Sequence, residues 1–264
     1  MEKIKKLFKR GPKVAVVNLS GVIAASGRGR LNDRGYANVI ERAFKRGKPK
    51  AVVFLINSPG GSPVQSSLIA KRIARLSKET DIPTFAFVED VAASGGYWLA
   101  CAASEIYADT CSIVGSIGVV SSGFGFQNLI AKHGVERRVH TAGESKSTLD
   151  PFQPEKPEDI ARLETILAEL HEAFKAHVST ARAGKIADQD LFTGEFWTGQ
   201  KALELGLIDG IGDFTSVMKE RFGDKIEFVH YGVKKSFFQK FGMQMVNDVA
   251  GEIEERAVFA RFGL

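Results

Sequence analysis

Hydrophobic and polar positions alternate in blocks along the first part of the chain, and these blocks predict strands and helices in turn. Short runs rich in β-branched residues predict strands, and residues 51–56 are apolar on both faces, as is typical of a buried parallel strand. Between these runs, apolar residues recur every three or four positions, which indicates helices with one buried face. The predicted strands cover residues 14–19, 51–56, 84–88 and 105–108, and the predicted helices cover residues 33–45, 63–76 and 95–103.

The second half of the chain carries shorter elements around one long helix. A strand is predicted at residues 136–140, and an amphipathic pattern predicts a helix over residues 156–182. Two short helices at 199–205 and 215–222 and a strand at 226–229 complete the pattern. Strands that alternate with helices in this way predict an α/β fold, with a mostly parallel sheet flanked by helices.

Composition agrees with a globular protein that can bury a sizeable core, since 44% of the 264 residues are hydrophobic and 25% are charged. We expect a basic arm at residues 1–12, one domain at 13–231 and a tail at 232–264. The tail carries an apolar stripe at helical spacing, which predicts packing on the core, on a partner subunit or on a membrane.

The formal net charge of +5 resides mostly in the first ten residues, MEKIKKLFKR, which hold five Lys or Arg and one Glu. The remaining chain is near neutral, unlike a nucleic-acid-binding domain, whose basic residues line one face of the fold. Ile4, Leu7 and Phe8 lie at helical spacing among the lysines. We therefore predict no nucleic-acid partner, and two alternatives for residues 1–10: a disordered arm, or an interfacial helix in peripheral contact with an anionic membrane.

Other features of the sequence predict a cytoplasmic protein. Its apolar runs are far shorter than a membrane span of about 20 residues, and the basic start lacks the apolar segment of a secretory signal. Cys101 and Cys111 are too few for a disulfide framework, so we expect two reduced thiols. His171 and His177 lie six positions apart on different faces of a predicted helix, and we expect no metal site.

Three clusters of glycine and serine each follow a predicted strand: NSPGGS at residues 57–62, AASGGYW at 92–98 and VGSIGV at 114–119. In the first cluster, Gly60 and Gly61 allow a sharp turn with outward-pointing N–H groups. Such a turn is either a plain connection between strand and helix or a binding site for an oxyanion at the helix start.

Ser94, in the second cluster, has two interpretations. A serine at the start of a helix is commonly an N-cap. Alternatively, Ser94 is a nucleophile on a tight turn, with the helix dipole supporting developing negative charge. A serine nucleophile needs a base, and the five histidines of the chain lie in no supporting motif.

A lysine can replace histidine as the base once burial lowers its pKa from about 10.4 to about 7–8. Lys146, in the segment GESKS, is one candidate. Most lysines in a sequence are solvated surface charges, so its position alone leaves this role open.

Five ordered segments of the sequence resemble the signal peptide peptidase A (SppA) family of serine–lysine peptidases: NSPGGS, AASGGYW, VGSIGV, ESKSTLDPF and WTGQKALELGLID. The resemblance spans residues 13–230. It implies the ClpP/crotonase-like fold of repeated ββα units, a homo-oligomeric ring, and a serine endopeptidase without cofactors. The implied substrates are signal-peptide remnants or other membrane-derived, hydrophobic peptides.

The resemblance also implies a role for each matching residue. Ser94 matches the nucleophile and Lys146 the general base, which in a ring can reach Ser94 of a neighbouring subunit. Ser116 matches the serine that orients the lysine amine. Gly60 and Gly61 match the turn that supplies the oxyanion hole, and the N–H of Gly95 is a further donor.

Two other function classes fit the same fold. A crotonase-type acyl-CoA enzyme would use the same pair of loops to stabilise a thioester oxyanion, but it would need a carboxylate base in place of Ser94 and Lys146. A non-catalytic member would bind peptides or act as a membrane-associated scaffold, and the presence of both Ser94 and Lys146 counts against it.

Overall fold

The computed structural model describes residues 11–27, 29–143, 145–233, 256 and 258–264. The arm at residues 1–10 and the apolar stripe of the tail lie outside the described residues, so their membrane and packing roles stay predictions. None of the described helices combines the length and hydropathy that crossing a membrane requires.

A single mixed sheet organises the described residues, in the order β6-β5-β3-β2-β1-β8, with β4 beside β3 and β7 beside β4. All pairs are parallel except β5 with β6. The prediction of an α/β fold with a mostly parallel sheet is confirmed. The strands are β1 (Lys13–Ser20), β2 (Ala51–Ser58), β3 (Thr84–Ala93), β4 (Glu105–Ala108), β5 (Ile113–Gly115), β6 (Phe196–Thr198), β7 (Gly210–Ile211) and β8 (Glu227–Tyr231).

The helices begin where the sequence carries start signals. Asn32 accepts a hydrogen bond from the N–H of Gly35 and caps the first helix, while Pro63 opens the second, where a missing N–H costs nothing. The helices are α1 (Asp33–Lys45), α2 (Pro63–Thr80), α3 (Gly95–Ala100), α4 (Gln127–Lys132), α5 (Pro157–Ala181), α6 (Gly199–Glu204) and α7 (Phe214–Phe222).

The expectations differ from the structure in several places. Residues 136–140 form no strand, because their side chains are exposed on both sides and alternation there has no core to face. α4 was not predicted, since it has six residues and no side-chain cap to mark its start. In addition, β3 continues five residues beyond its predicted end to Ala93, which brings the strand up to Ser94.

The core lies on both faces of the central strands. All of β2 from Ala51 to Ile56 is buried, as its uninterrupted apolar run predicts for a strand covered by helices on both sides. On one face, aromatic rings from β3 and α7 meet, with the centroids of Phe85 and Phe222 6.2 Å apart and those of Phe87 and Phe214 also 6.2 Å apart. Such edge-to-face pairs add specificity to apolar burial.

The chain divides into two compact units. The first joins Met1–Ile117 to Lys175–Leu264 and contains the whole sheet, and the second is Gly118–Phe174. Within the second unit the rings of Phe126 and Phe152 lie 5.5 Å apart, and Arg137 pairs with Asp150 at 2.9 Å while its guanidinium lies over the ring of Phe152. This small cluster is what organises an otherwise exposed segment.

The two cysteines should differ sharply in reactivity. Cys101 is buried, and burial raises the pKa of its thiol to about 12, whereas Cys111 is exposed. Because the thiolate is the reacting species, we expect iodoacetamide to alkylate Cys111 in the folded protein and Cys101 only after unfolding. Peptide mass spectrometry would measure both, and equal labelling of the native thiols would contradict the placement of Cys101.

Candidate active site

Ser94 stands directly after β3 in a backbone conformation that non-glycine residues rarely adopt, with φ of 52° and ψ of −121°. Its N–H donates to the carbonyl of Gly115 at 2.8 Å, which holds the turn in place. Although Ser94 occupies the N-cap position of α3, its side chain makes no capping hydrogen bond. Such strain costs on the order of 1–3 kcal/mol. The Ser94 hydroxyl therefore does not cap the helix that it precedes.

Gly60 lies against the Ser94 turn so closely that no side chain would fit. A Cβ at Gly60 would lie 2.7 Å from the N of Gly95 and 2.8 Å from the Cβ of Ser94, and the residue has φ of +99°. Both the space and the backbone therefore require glycine at this position. The structure thus brings the first two Gly/Ser clusters together, backbone against backbone.

The segment that follows β1 holds the Gly60–Gly61 turn. The N–H of Ile23 donates to the carbonyl of Gly60 at 2.8 Å, and the N–H of Ser62 donates to the carbonyl of Ile23 at 2.8 Å. A Cβ at Gly61 would collide with that Ile23 carbonyl. The turn is therefore fixed on the side away from Ser94 by short, paired backbone contacts.

Ser58 was not singled out from the sequence, yet it is fully buried beneath the same turn. Its hydroxyl donates to the carbonyl of Gly21 at 2.7 Å and accepts from the N–H of Gly60 at 3.2 Å. The inward-facing N–H of the turn is thus already satisfied. A serine at the end of a strand whose first six residues are all apolar was the available signal.

The pairing of β3 with β5 places Ser116 beside Ser94. Ala93 pairs with Gly115 in neighbouring strands, so the residues that follow them, Ser94 and Ser116, leave the sheet together. Ser116 also has a positive φ of 54°, is half-buried, and donates its N–H to the carbonyl of Glu195 at 2.7 Å. The third Gly/Ser cluster therefore joins the first two.

Lys146 lies in the second unit, while Ser94, Ser116 and the glycines lie in the first. It follows Gly143 in a series of turns, its N–H donates to the carbonyl of Gly143 at 3.3 Å, and its side chain is exposed. The candidate base is therefore carried by a different part of the fold from the candidate nucleophile.

Two adjacent residues of α3, Tyr97 and Trp98, tie the helix to its surroundings. The hydroxyl of Tyr97, wholly buried, donates to the carbonyl of Leu207 at 2.7 Å. The ring of His177 stacks on Trp98 at 4.9 Å, and its Nε2 lies 3.0 Å from the Trp98 carbonyl. Burial lowers the pKa of His177, which favours the neutral ring as the donor to that carbonyl.

The segment WTGQKALELGLID has a structural task that the sequence alone did not indicate. Asp209 at its end accepts hydrogen bonds from Arg182 and Lys185, each at 2.6 Å, and from the N–H of Ile106 at 2.8 Å. Burial raises the pKa of Asp209, but these donors outweigh it and hold the pKa below its usual value. These ion pairs hold the segment that carries the Leu207 carbonyl, which is the acceptor of the Tyr97 hydroxyl.

The described residues contain no group of three or more His, Cys, Asp or Glu side chains arranged to hold a metal ion. The Gly/Ser cluster itself presents the hydroxyls of Ser94 and Ser116 and the backbone N–H groups around them.

Comparison with known sequences identifies relatives among peptidases. Residues 77–224, more than half of the chain, match peptidase family S49. The chain is 47% identical over 272 residues to a protein of Brucella melitensis biotype 1 named Na(+)/H(+) antiporter NhaA, covering 96% of this chain and 37% of that protein. It is 36% identical over 194 residues to "Probable protease SohB" of Haemophilus influenzae, covering 73% of this chain and 54% of that protein. The chain therefore spans about a third to about half of these relatives.

Solved structures share the fold. A membrane-bound stomatin-specific protease, 1510-N, in complex with a substrate peptide, superposes with a TM-score of 0.52 over 92% of this chain and 98% of its own. The sequence identity is 14%, so this likeness concerns the fold alone. The predicted ClpP/crotonase-like fold and the predicted resemblance are both confirmed. The chain belongs to peptidase family S49, a family of serine peptidases.

Proposed function

We propose that this chain is a serine endopeptidase with Ser94 as the nucleophile and Lys146 as the general base. The observation that carries the proposal is the strained, uncapped Ser94, whose turn Gly60 approaches so closely that a Cβ on Gly60 would lie 2.7 Å from the N of Gly95 and 2.8 Å from the Cβ of Ser94. Strain of this kind persists where the surrounding structure enforces it and clusters at reactive sites. Membership of a peptidase family supports the same assignment.

The proposed reaction needs only the two side chains and a water molecule. The unprotonated amine of Lys146 accepts the proton of the Ser94 hydroxyl as its oxygen attacks the peptide carbonyl carbon. The C–N bond then breaks, Lys146 returns the proton to the leaving amine, and an ester with Ser94 remains. Water, activated by the same amine, hydrolyses this ester and restores the Ser94 hydroxyl. The Ser116 hydroxyl orients the lysine amine.

The oxyanion of each tetrahedral intermediate would be held by backbone donors. We assign the N–H groups of Gly61 and Gly95 to this role, because the N–H of Gly60 already donates to Ser58. Gly60 contributes by lacking a side chain, since a Cβ there would cover the Gly95 N–H. Preorganised donors of this kind stabilise charge that develops only during the reaction.

The proposed substrates are extended hydrophobic peptides, including signal-peptide remnants and other membrane-derived segments. Extended peptides pair with exposed strand edges, and β6 forms one end of the sheet directly beside Gly115. The basic arm at residues 1–10 would bring a peptidase on the cytoplasmic side to the anionic membrane surface.

We further propose that the protein works as a homo-oligomer, in which the second unit contacts a neighbouring copy. Large apolar side chains on the surface mark an interface when they cluster. Those exposed by more than a third in the second unit are Val120, Phe124, Leu129, Val135, Val139, Leu149 and Ile166. Because Lys146 belongs to this unit, assembly would also decide which subunit supplies the base.

Replacing either member of the dyad should abolish hydrolysis. We expect Ser94→Ala and Lys146→Ala each to lower kcat/KM for a fluorogenic hydrophobic peptide by at least about 10³-fold. In the wild type, kcat should rise with pH between about 6 and 10, because only the unprotonated amine accepts the serine proton.

Exposed residues of the same types serve as controls. Ser179→Ala on α5 and Lys132→Ala on α4 should hydrolyse the peptide at the wild-type rate. A Ser94→Ala protein that matches the wild-type rate would refute the proposed nucleophile, and a flat pH profile would refute a lysine base.

Gly60→Ala should strongly slow the reaction of Ser94. Its Cβ would crowd Ser94 and the Gly95 N–H, so we expect labelling of Ser94 by a fluorophosphonate to slow by about 10²–10³-fold, as on loss of an oxyanion donor. Gly223→Ala is the matched control, because Gly223 has φ of +92° with open space around it. Comparable slowing in both variants would assign the effect to backbone strain rather than to the site.

Mixing two inactive variants would test whether subunits share sites. If Lys146 serves Ser94 of a neighbour, Ser94→Ala and Lys146→Ala proteins dissociated and reassembled together should recover up to about a quarter of wild-type activity by random pairing. Each variant reassembled alone is the control. Recovery at the level of those controls would show that each site uses one chain.

A further inference from the structure

We infer that Ser58 is a positioning residue for the oxyanion hole, acting through the backbone of the Gly60–Gly61 turn. The inference rests on the proposed function for its effect on the rate, and on the geometry of the turn for its physical basis. Ser58 is fully buried and is separated from Ser94 by the turn that it supports.

The hydroxyl of Ser58 connects two backbone segments that otherwise belong to different elements. It donates to the carbonyl of Gly21, just beyond β1, at 2.7 Å and accepts from the N–H of Gly60 at 3.2 Å. A hydroxyl can do both at once, since it carries one donor hydrogen and two acceptor lone pairs. Alanine, cysteine or valine at this position would lose part or all of that bridge.

The bond to Gly60 determines which N–H groups of the turn face the reaction. With the Gly60 N–H turned inward to Ser58, the peptide plane between Pro59 and Gly60 is fixed. The next plane is held by the Gly60 carbonyl, which accepts from the N–H of Ile23, so the Gly61 N–H at the opposite edge of that trans peptide points away from Ile23. Both glycines have positive φ, and since the contacts with Ile23 already hold the Gly60–Gly61 plane, the Ser58 hydroxyl restrains the plane that precedes it. The hydroxyl therefore removes a freedom that the two glycines introduce.

Ser58 also contacts the element that carries the second oxyanion donor. A Cβ on Gly96 would lie 3.2 Å from the Cβ of Ser58 and would collide with its carbonyl oxygen. Gly96 follows Gly95 in α3, so the backbone of Ser58 sets the depth at which the start of α3 packs. One buried residue thus positions the donors on both sides of the proposed oxyanion.

Ser58→Ala tests the inference, and Ser112→Ala is its matched control. Ser112 is likewise buried, with its hydroxyl donating to the carbonyl of Glu89 at 2.5 Å and accepting from the N–H of Asp109 at 3.0 Å. Both changes delete one buried bridging hydroxyl. We expect them to lower the Tm comparably, because each leaves a backbone carbonyl without its donor.

The two variants should differ in catalysis. We expect Ser58→Ala to lower kcat by about 10- to 100-fold with KM within about twofold, less than the loss of about 10²–10³ on removing a donor itself. The pH midpoint of kcat should stay at the wild-type value, because the base is untouched. Ser112→Ala should keep the wild-type kcat, and equal losses of kcat in both variants would overturn the inference.

Hydrogen exchange tests the positioning role without any turnover. In Ser58→Ala, amides in a peptide covering residues 57–66 should exchange at least about tenfold faster than in the wild type and in Ser112→Ala. Unchanged exchange would overturn the inference even if kcat fell. If the wild-type protein shows no hydrolysis that Ser94→Ala removes, the proposed function fails, and the exchange result alone decides the role of Ser58.

Discussion

The close approach of two backbones, at Gly60 and at the Ser94–Gly95 turn, is the contact on which the site depends. The two backbones lie too close together to admit even a methyl group, since a Cβ at Gly60 would lie within 2.8 Å of three atoms. Each backbone reaches the contact at the end of a parallel strand, β2 or β3, and adjacent strands of one sheet end at the same edge. The sheet therefore brings the turns together, and the absence of side chains lets them touch.

In the proposed mechanism, the two units meet different demands on their residues. The proposed nucleophile and oxyanion donors need a fixed geometry, and they lie on short turns between buried strands and helices. A lysine base needs reach instead, because its amine ends a long flexible side chain. Its position on exposed turns of a smaller unit suits that demand, and assembly would supply the burial that those turns lack.

Much of this arrangement could be predicted from the sequence. The apolar run of β2, the N-cap Asn32 and the helix-opening Pro63 are strong local signals, and the family resemblance marked the three clusters of glycine and serine. The short strands β5, β6 and β7 have two or three residues each, too few for an alternating pattern. Ser58 was missed because its role depends on Gly21, which lies 37 positions earlier and becomes a partner only in the folded sheet.

The discontinuous first unit has a consequence for synthesis of the chain. Strands β5, β4 and β1 precede the second unit along the chain. Their respective partners, β6, β7 and β8, follow it. A nascent chain that has emerged only as far as Ile117 therefore exposes strand edges on both sides of its sheet. Such edges pair readily with other chains. Premature termination within the second unit would thus yield an aggregation-prone fragment rather than a smaller folded domain.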